Sequence, residues 1–131
     1  VPLKPYAREY LKALKERGAK LGIATSLPAV LYEAALHNHD IQTLFDAVCS
    51  TDEVPHGKTK PDVFLLAASK LGIAPENCIV FEDIPEAALS AKAAGMTVYA
   101  VYDEASAAHW SYIQEMADGA LLDFRDAPLP E

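Results

Sequence analysis

Basic residues are in short supply. Lys and Arg number 11 against 19 Asp and Glu in 131 residues, a formal net charge of -8. That deficit argues against a nucleic-acid binder, which usually shows a basic patch, and against an anionic membrane surface as partner. Cysteine is scarce as well: Cys49 and Cys78 each lie inside an apolar run, AVCS and CIVF, and no CxxC or Cys/His cluster is present. Nothing in that pattern suggests zinc, and buried, reduced thiols are expected. No apolar run has the length of a membrane-spanning helix, and the opening residues carry no signal-peptide pattern. These absences set the expectation of a cytoplasmic protein, and the length fits one domain over residues 1–131.

Half of the residues are apolar, and they recur in two alternating patterns. Ala7, Tyr10, Leu11 and Leu14 share a helical face between Pro5 and Gly18, with Pro suited to a first turn and Gly to a stop. Helices are also expected from Pro28 to about His37, with Val30, Leu31, Ala34 and Ala35 on one face, from Pro61 to about Lys70, from Pro85 to Ala94, and over 106–116. Between them lie short apolar strands at 21–24, 47–49, 78–81, 97–101 and 120–122, while the tail DFRDAPLPE reads as loose. Strands with little alternation, separated by helices, mean a parallel sheet covered on both faces. The expected class is α/β, a Rossmann-like three-layer α/β/α sandwich.

Ligands of such sheets bind beyond the carboxyl ends of the strands. The first strand ends at Thr25-Ser26, the second leads into a loop with His56, Lys58 and Lys60, and the third ends at Glu82-Asp83. Adjacent carboxylates on a strand tip repel each other. A hard divalent cation removes that conflict, and Mg2+ favours one or two carboxylates plus waters and phosphate oxygens. A hydroxyl and an ammonium nearby suit a phosphoryl group. Helix N-termini at Pro28 and Pro85 could add oriented N–H donors. The bland alternatives are a turn-forming Thr25, solvated lysines and an acid pair that only caps the next helix; His56 is expected on a plain surface loop.

The order of these segments resembles the haloacid-dehalogenase-like (HAD) hydrolase superfamily, in its phosphoglycolate phosphatase and β-phosphoglucomutase-like branch. LGIATS is similar to the second family motif, GKTKPDVF to the third, and VFEDIPEAALSAKAAGM to the fourth and its following helix. The resemblance implies an HAD-like core in which Thr25, with Ser26 beside it, binds phosphate, Lys58 is the motif lysine, and Glu82 and Asp83 hold Mg2+. Thr25 and Lys58 are thus the implied catalytic residues. Ile84 stands where the family often has Ser. The implied activity is Mg2+-dependent hydrolysis of a small phosphorylated metabolite through an aspartyl-phosphate; a phosphosugar mutase or a non-catalytic HAD-like binding domain are the alternatives. A receiver-like domain fits less well, because it carries its acid pair on the first strand.

The family's first motif, Asp-x-Asp on an early strand, is not found: no D-x-D occurs anywhere in the 131 residues. Asp40, Asp46 and Asp52 do not follow an apolar strand in that form. The resemblance implies an incomplete core lacking its nucleophile strand and cap. Either the nucleophile lies upstream of this chain, a separate chain completes the site, or the domain is non-catalytic. A sheet missing a central strand exposes an edge, so a homodimer or a missing N-terminal segment is expected to cover it.

Overall fold

A computed structural model of the chain describes residues 4–55, 57 and 60–129. Among the described residues five α-helices and five strands alternate: α1 (Ala7–Glu16), β1 (Gly22–Thr25), α2 (Ala29–Asn38), β2 (Ala47–Ser50), α3 (Asp62–Leu71), β3 (Ile79–Glu82), α4 (Pro85–Ala93), β4 (Thr97–Val101), α5 (Trp110–Met116) and β5 (Gly119–Leu121). All strand pairs are parallel, in two sheets. β1 pairs with β2, Gly22 opposite Ala47 and Thr25 opposite Ser50. β3 pairs with β4 and β4 with β5, with Glu82 opposite Ala100 and Tyr99 opposite Gly119. A parallel strand needs a crossover rather than a hairpin: α2 supplies it between β1 and β2, α4 between β3 and β4, and α5 between β4 and β5, while α3 links the two sheets.

Local sequence sets the limits of these elements. Pro85 starts α4, where its missing N–H costs nothing. Gly95, at φ +90°, ends it: the Met96 N–H reaches back to the Ala91 carbonyl at 3.2 Å. Gly72, at φ +71°, ends α3 in the same way, with the Ile73 N–H on the Ala68 carbonyl at 3.1 Å. A side chain at either position would be strained.

The core is built largely of small residues. Ala87, Ala88 and Ala91 of α4 are buried against β3 and β4, in one cluster with Cys49, Val63, Phe64, Ala68, Val98 and Ile113. Alanine lets the helix axis approach the sheet closely, so apolar area is buried without bulky knobs; burial supplies about 25 cal/mol per Å2. Two acids at the starts of strands pin neighbouring strands. Asp46 accepts the Leu21 N–H at 2.8 Å and an ammonium hydrogen bond from Lys15 at 2.9 Å. Asp118 does the same for the Val98 N–H at 2.8 Å and for Lys92 at 3.1 Å. Both carboxyls are held below the usual carboxylate range by these bonds.

Four expectations need correction. The face of α2 is not buried: Val30, Leu31, Ala34 and Ala35 are all exposed, because the helix packs chiefly on the short turn at 42–44. The segment expected as one helix over 106–116 is a 3-10 stretch over Glu104–His109 followed by α5, with a kink at Ser106. The tail is not loose over its described residues, 123–129. Phe124 joins Tyr10, Phe81 and Tyr99 in an aromatic cluster with ring centres 5.4–5.9 Å apart, and the Tyr10 hydroxyl donates to the Pro128 carbonyl. Burial pushes the Tyr10 phenol up to about 12. Finally, Cys49 is fully buried as expected, but Cys78 is only half-buried.

The two sheets do not touch edge to edge. Between β1 and β3 lies a cavity of about 940 Å3, lined by Ile23 and Ala24 on one side and Val80, Phe81 and Glu82 on the other. Neither β1 nor β3 has a strand partner among the described residues on that side.

Candidate active site

The tips of β1 and β2 are joined by polar contacts. Thr25 closes β1 half-buried, and its hydroxyl oxygen accepts the Leu27 N–H at 3.1 Å. That bond folds the chain into a tight turn and leaves the hydroxyl proton available to an oxygen ligand. Ser26 is exposed on this turn. From β2, the buried Ser50 hydroxyl donates to the Leu27 carbonyl at 2.9 Å, and Ser50 and Glu53 form a reciprocal capping box. Lys70 donates to Glu53 at 2.6 Å, and this bond lowers the Glu53 pKa. The turn leads into the loop that carries His56 and Lys58; both of these lie outside the described residues.

Glu82 and Asp83 stand at the tip of β3, as the sequence places them. Glu82 is 8% exposed, and its Oε1 accepts the N–H groups of Asp83 and Ile84 at 3.1 and 3.3 Å. A buried carboxylate held by two backbone donors orders the turn from strand to helix. Asp83 is half-buried beside it. Desolvation, then the Glu82 carboxylate, pushes the Asp83 carboxyl from 3.8 to about 6. Its ionised form is therefore disfavoured by burial and by the neighbouring carboxylate, and a bound cation would favour it.

Two residues that sequence reasoning passed over meet Asp83. Lys4 places Nζ 3.8 Å from Asp83 Oδ2 and 2.6 Å from Asp103 Oδ2, and also donates to the Tyr102 carbonyl at 3.3 Å. Lys4 and the Ala105 N–H hold the Asp103 carboxyl below its ordinary value. One signal was present for Asp103: it lies two residues past β4, the parallel neighbour of β3, so the two loops leave the sheet side by side. Lys4 had no such signal, since its contacts are 79 and 99 residues away in sequence.

Among the described residues no group of three or more His, Cys, Asp or Glu side chains is arranged to hold a metal. The adjacent carboxylates still fit Mg2+, which is commonly held by one or two carboxylates with water and phosphate completing the shell.

Comparison with known proteins decides the family. Residues 1–95 match the family described as haloacid dehalogenase-like hydrolase. The chain belongs to the haloacid dehalogenase-like hydrolases. It is 37% identical over 95 residues to hexitol phosphatase B of Escherichia coli K12, which covers 72% of this chain and 43% of that protein. An HAD family hydrolase from Deinococcus radiodurans, solved with bound phosphate and sodium, superposes with a TM-score of 0.78 at 27% identity, over 89% of this chain and 53% of that one. A β-phosphoglucomutase from Clostridium difficile shares the fold at TM-score 0.79 and 21% identity, over 96% of this chain and 52% of that one. The chain thus spans about half the length of the HAD proteins that it matches.

Proposed function

We propose that this chain is the phosphate- and Mg2+-binding portion of an HAD phosphohydrolase core that acts on a small phosphorylated metabolite. The observation that carries the reading is the acid pair at the β3 tip, with Asp83 half-buried against a second carboxylate and its charged form disfavoured. Glu82 orders the turn, and Glu82 and Asp83 are the residues that would hold the cation. Bound Mg2+ would supply neutralisation of the phosphate charge. Thr25, on its ordered turn, donates its hydroxyl proton to a phosphoryl oxygen, and Ser26 lies next to it. Lys58 offers a point charge to the same group.

The family resemblance calls for an aspartate nucleophile, and Asp46 is already bonded to the Leu21 N–H and to Lys15 at the start of its strand. The nucleophile, forming an aspartyl-phosphate, is assigned to a strand upstream of this chain that would fill the cleft between β1 and β3. Residues 1–131 then form one core domain. A cytoplasmic setting is in keeping with two free thiols.

The test is turnover of p-nitrophenyl phosphate and of hexose phosphates with Mg2+ by the full-length protein. Asp83→Asn should lower kcat/KM by at least about a hundredfold, in the range for loss of a transition-state charge partner. Turnover indifferent to Asp83→Asn would overturn the assignment. The 131 residues alone should show little or none.

A further inference from the structure

The charge environment of Asp83 contains a cation that belongs to the chain itself. Lys4 Nζ is 3.8 Å from Asp83 Oδ2, yet its firmest bonds are elsewhere, to Asp103 at 2.6 Å and to the Tyr102 carbonyl at 3.3 Å. Asp103 is itself fixed, since its other carboxylate oxygen accepts the Ala105 N–H at 2.9 Å. The ammonium is thus tethered beside Asp83 by groups that do not depend on Asp83. The Lys4 side chain is 31% exposed and that of Asp83 27%, so the interaction is only partly screened by water.

We infer that Lys4 is a tuning residue for the proposed cation site: it partly neutralises Asp83, and its tethered charge weakens divalent-cation binding there. The inference rests on the Mg2+-site reading above. A divalent ion at Asp83 meets a fixed positive charge within several ångströms. Lys4 cannot swing far away without giving up Asp103 and the Tyr102 carbonyl. The affinity for the cation is therefore held down, and a ligand that brings its own negative charge, such as a phosphate group, compensates for the ammonium. The outcome is cation binding that is weak alone and strengthened by inorganic phosphate.

The experiment is Mn2+ titration followed by water-proton relaxation, without substrate, on the full chain and its Lys4→Met, Lys4→Gln, Lys4→Arg and Asp83→Asn variants. Lys4→Met and Lys4→Gln should bind Mn2+ roughly three- to tenfold more tightly, the scale expected for removal of one partly screened charge. Lys4→Arg should stay within about twofold of the parent. Adding inorganic phosphate should tighten Mn2+ binding more in the parent than in Lys4→Met. Equal Mn2+ affinity in the parent and both neutral variants, with Asp83→Asn losing binding, overturns the role of Lys4 and leaves the site reading standing. Mn2+ binding unchanged in Asp83→Asn, or absent from all the proteins, overturns the site reading and the inference with it. The two neutral substitutions differ in shape, so a folding defect in one does not shield the proposal from the other.

Discussion

The Glu82 carboxylate caps the N–H of the residue beside it: Oε1 lies 3.1 Å from the Asp83 backbone nitrogen. One carboxylate is spent on order, and its charge raises the cost of ionising the next. The Asp83 carboxyl, at about 6 in the folded chain against 3.8 ordinarily, binds its proton more tightly when folded. Its stabilising contribution is therefore complete below about pH 3.8 and is lost as pH rises through 6. The full shift corresponds to about 3 kcal/mol, and partial screening reduces this to about 1–2 kcal/mol. Asp83→Asn, which cannot ionise, should raise the melting temperature by about 3–8 °C at pH 7.5, with the gain vanishing by pH 4. Melts from pH 4 to 8 without added metal check this; a gain independent of pH counts against it.

Glu82 itself should be costly to remove. Its oxygen is the acceptor for two backbone N–H groups in a buried turn. Glu82→Ala leaves both donors without that acceptor and is expected to destabilise by about 1–3 kcal/mol. Glu82→Gln keeps an amide oxygen and should cost less than half as much. Urea denaturation of both variants at pH 7 separates the two. Equal losses would mean that the charge rather than the acceptor matters.

Much of this was legible in the sequence where chemistry is local. An apolar run that ends in Glu82-Asp83 and is followed by Pro85 reads as strand, tip and helix start, and the structure has β3 and α4 at those positions. Thr25 ends β1 for the same reason. What escaped was tertiary. The apolar face of α2 gave no hint that it would remain exposed, since periodicity records a face and not what meets it. The tail reads as polar and Pro-rich, yet Phe124 finds Tyr10 and Phe81 across the fold. Lys4 is one cation among eleven in composition, and only folding brings it to Asp83. The proposed role of Lys58 still rests on its motif, because the residue lies outside the described part of the chain.

The packing of β5 on β4 yields a sharp steric expectation. A Cβ at Gly119 would meet Tyr99 Cε1 at 2.3 Å and Cδ1 at 2.6 Å. Tyr99 cannot move freely, because its ring sits 5.9 Å from Phe81 in the aromatic cluster. Gly119→Ala should therefore cost about 1–3 kcal/mol through overpacking. In a Tyr99→Ala background the same substitution should be nearly neutral, a coupling that a double-mutant cycle measures directly. Additive losses would show that the glycine acts through its backbone instead.

The cleft between β1 and β3 carries the last expectation. Each strand has a ladder partner on its other side only, among the described residues, and apolar side chains from both line the gap. An unpaired strand edge with apolar neighbours is a template for further pairing. Ile79, half exposed at the start of β3, is part of that edge. The 131 residues alone should therefore associate in a concentration-dependent way on size-exclusion chromatography with light scattering. Ile79→Lys should shift the population toward monomer, because a lysine on an open edge opposes strand addition. Extending the chain upstream by a strand that pairs with both edges should remove the association and raise the melting temperature, since it buries the same apolar surface within one molecule. A sharply melting monomer at every concentration, unchanged by Ile79→Lys, would mean that the gap is closed without a sixth strand.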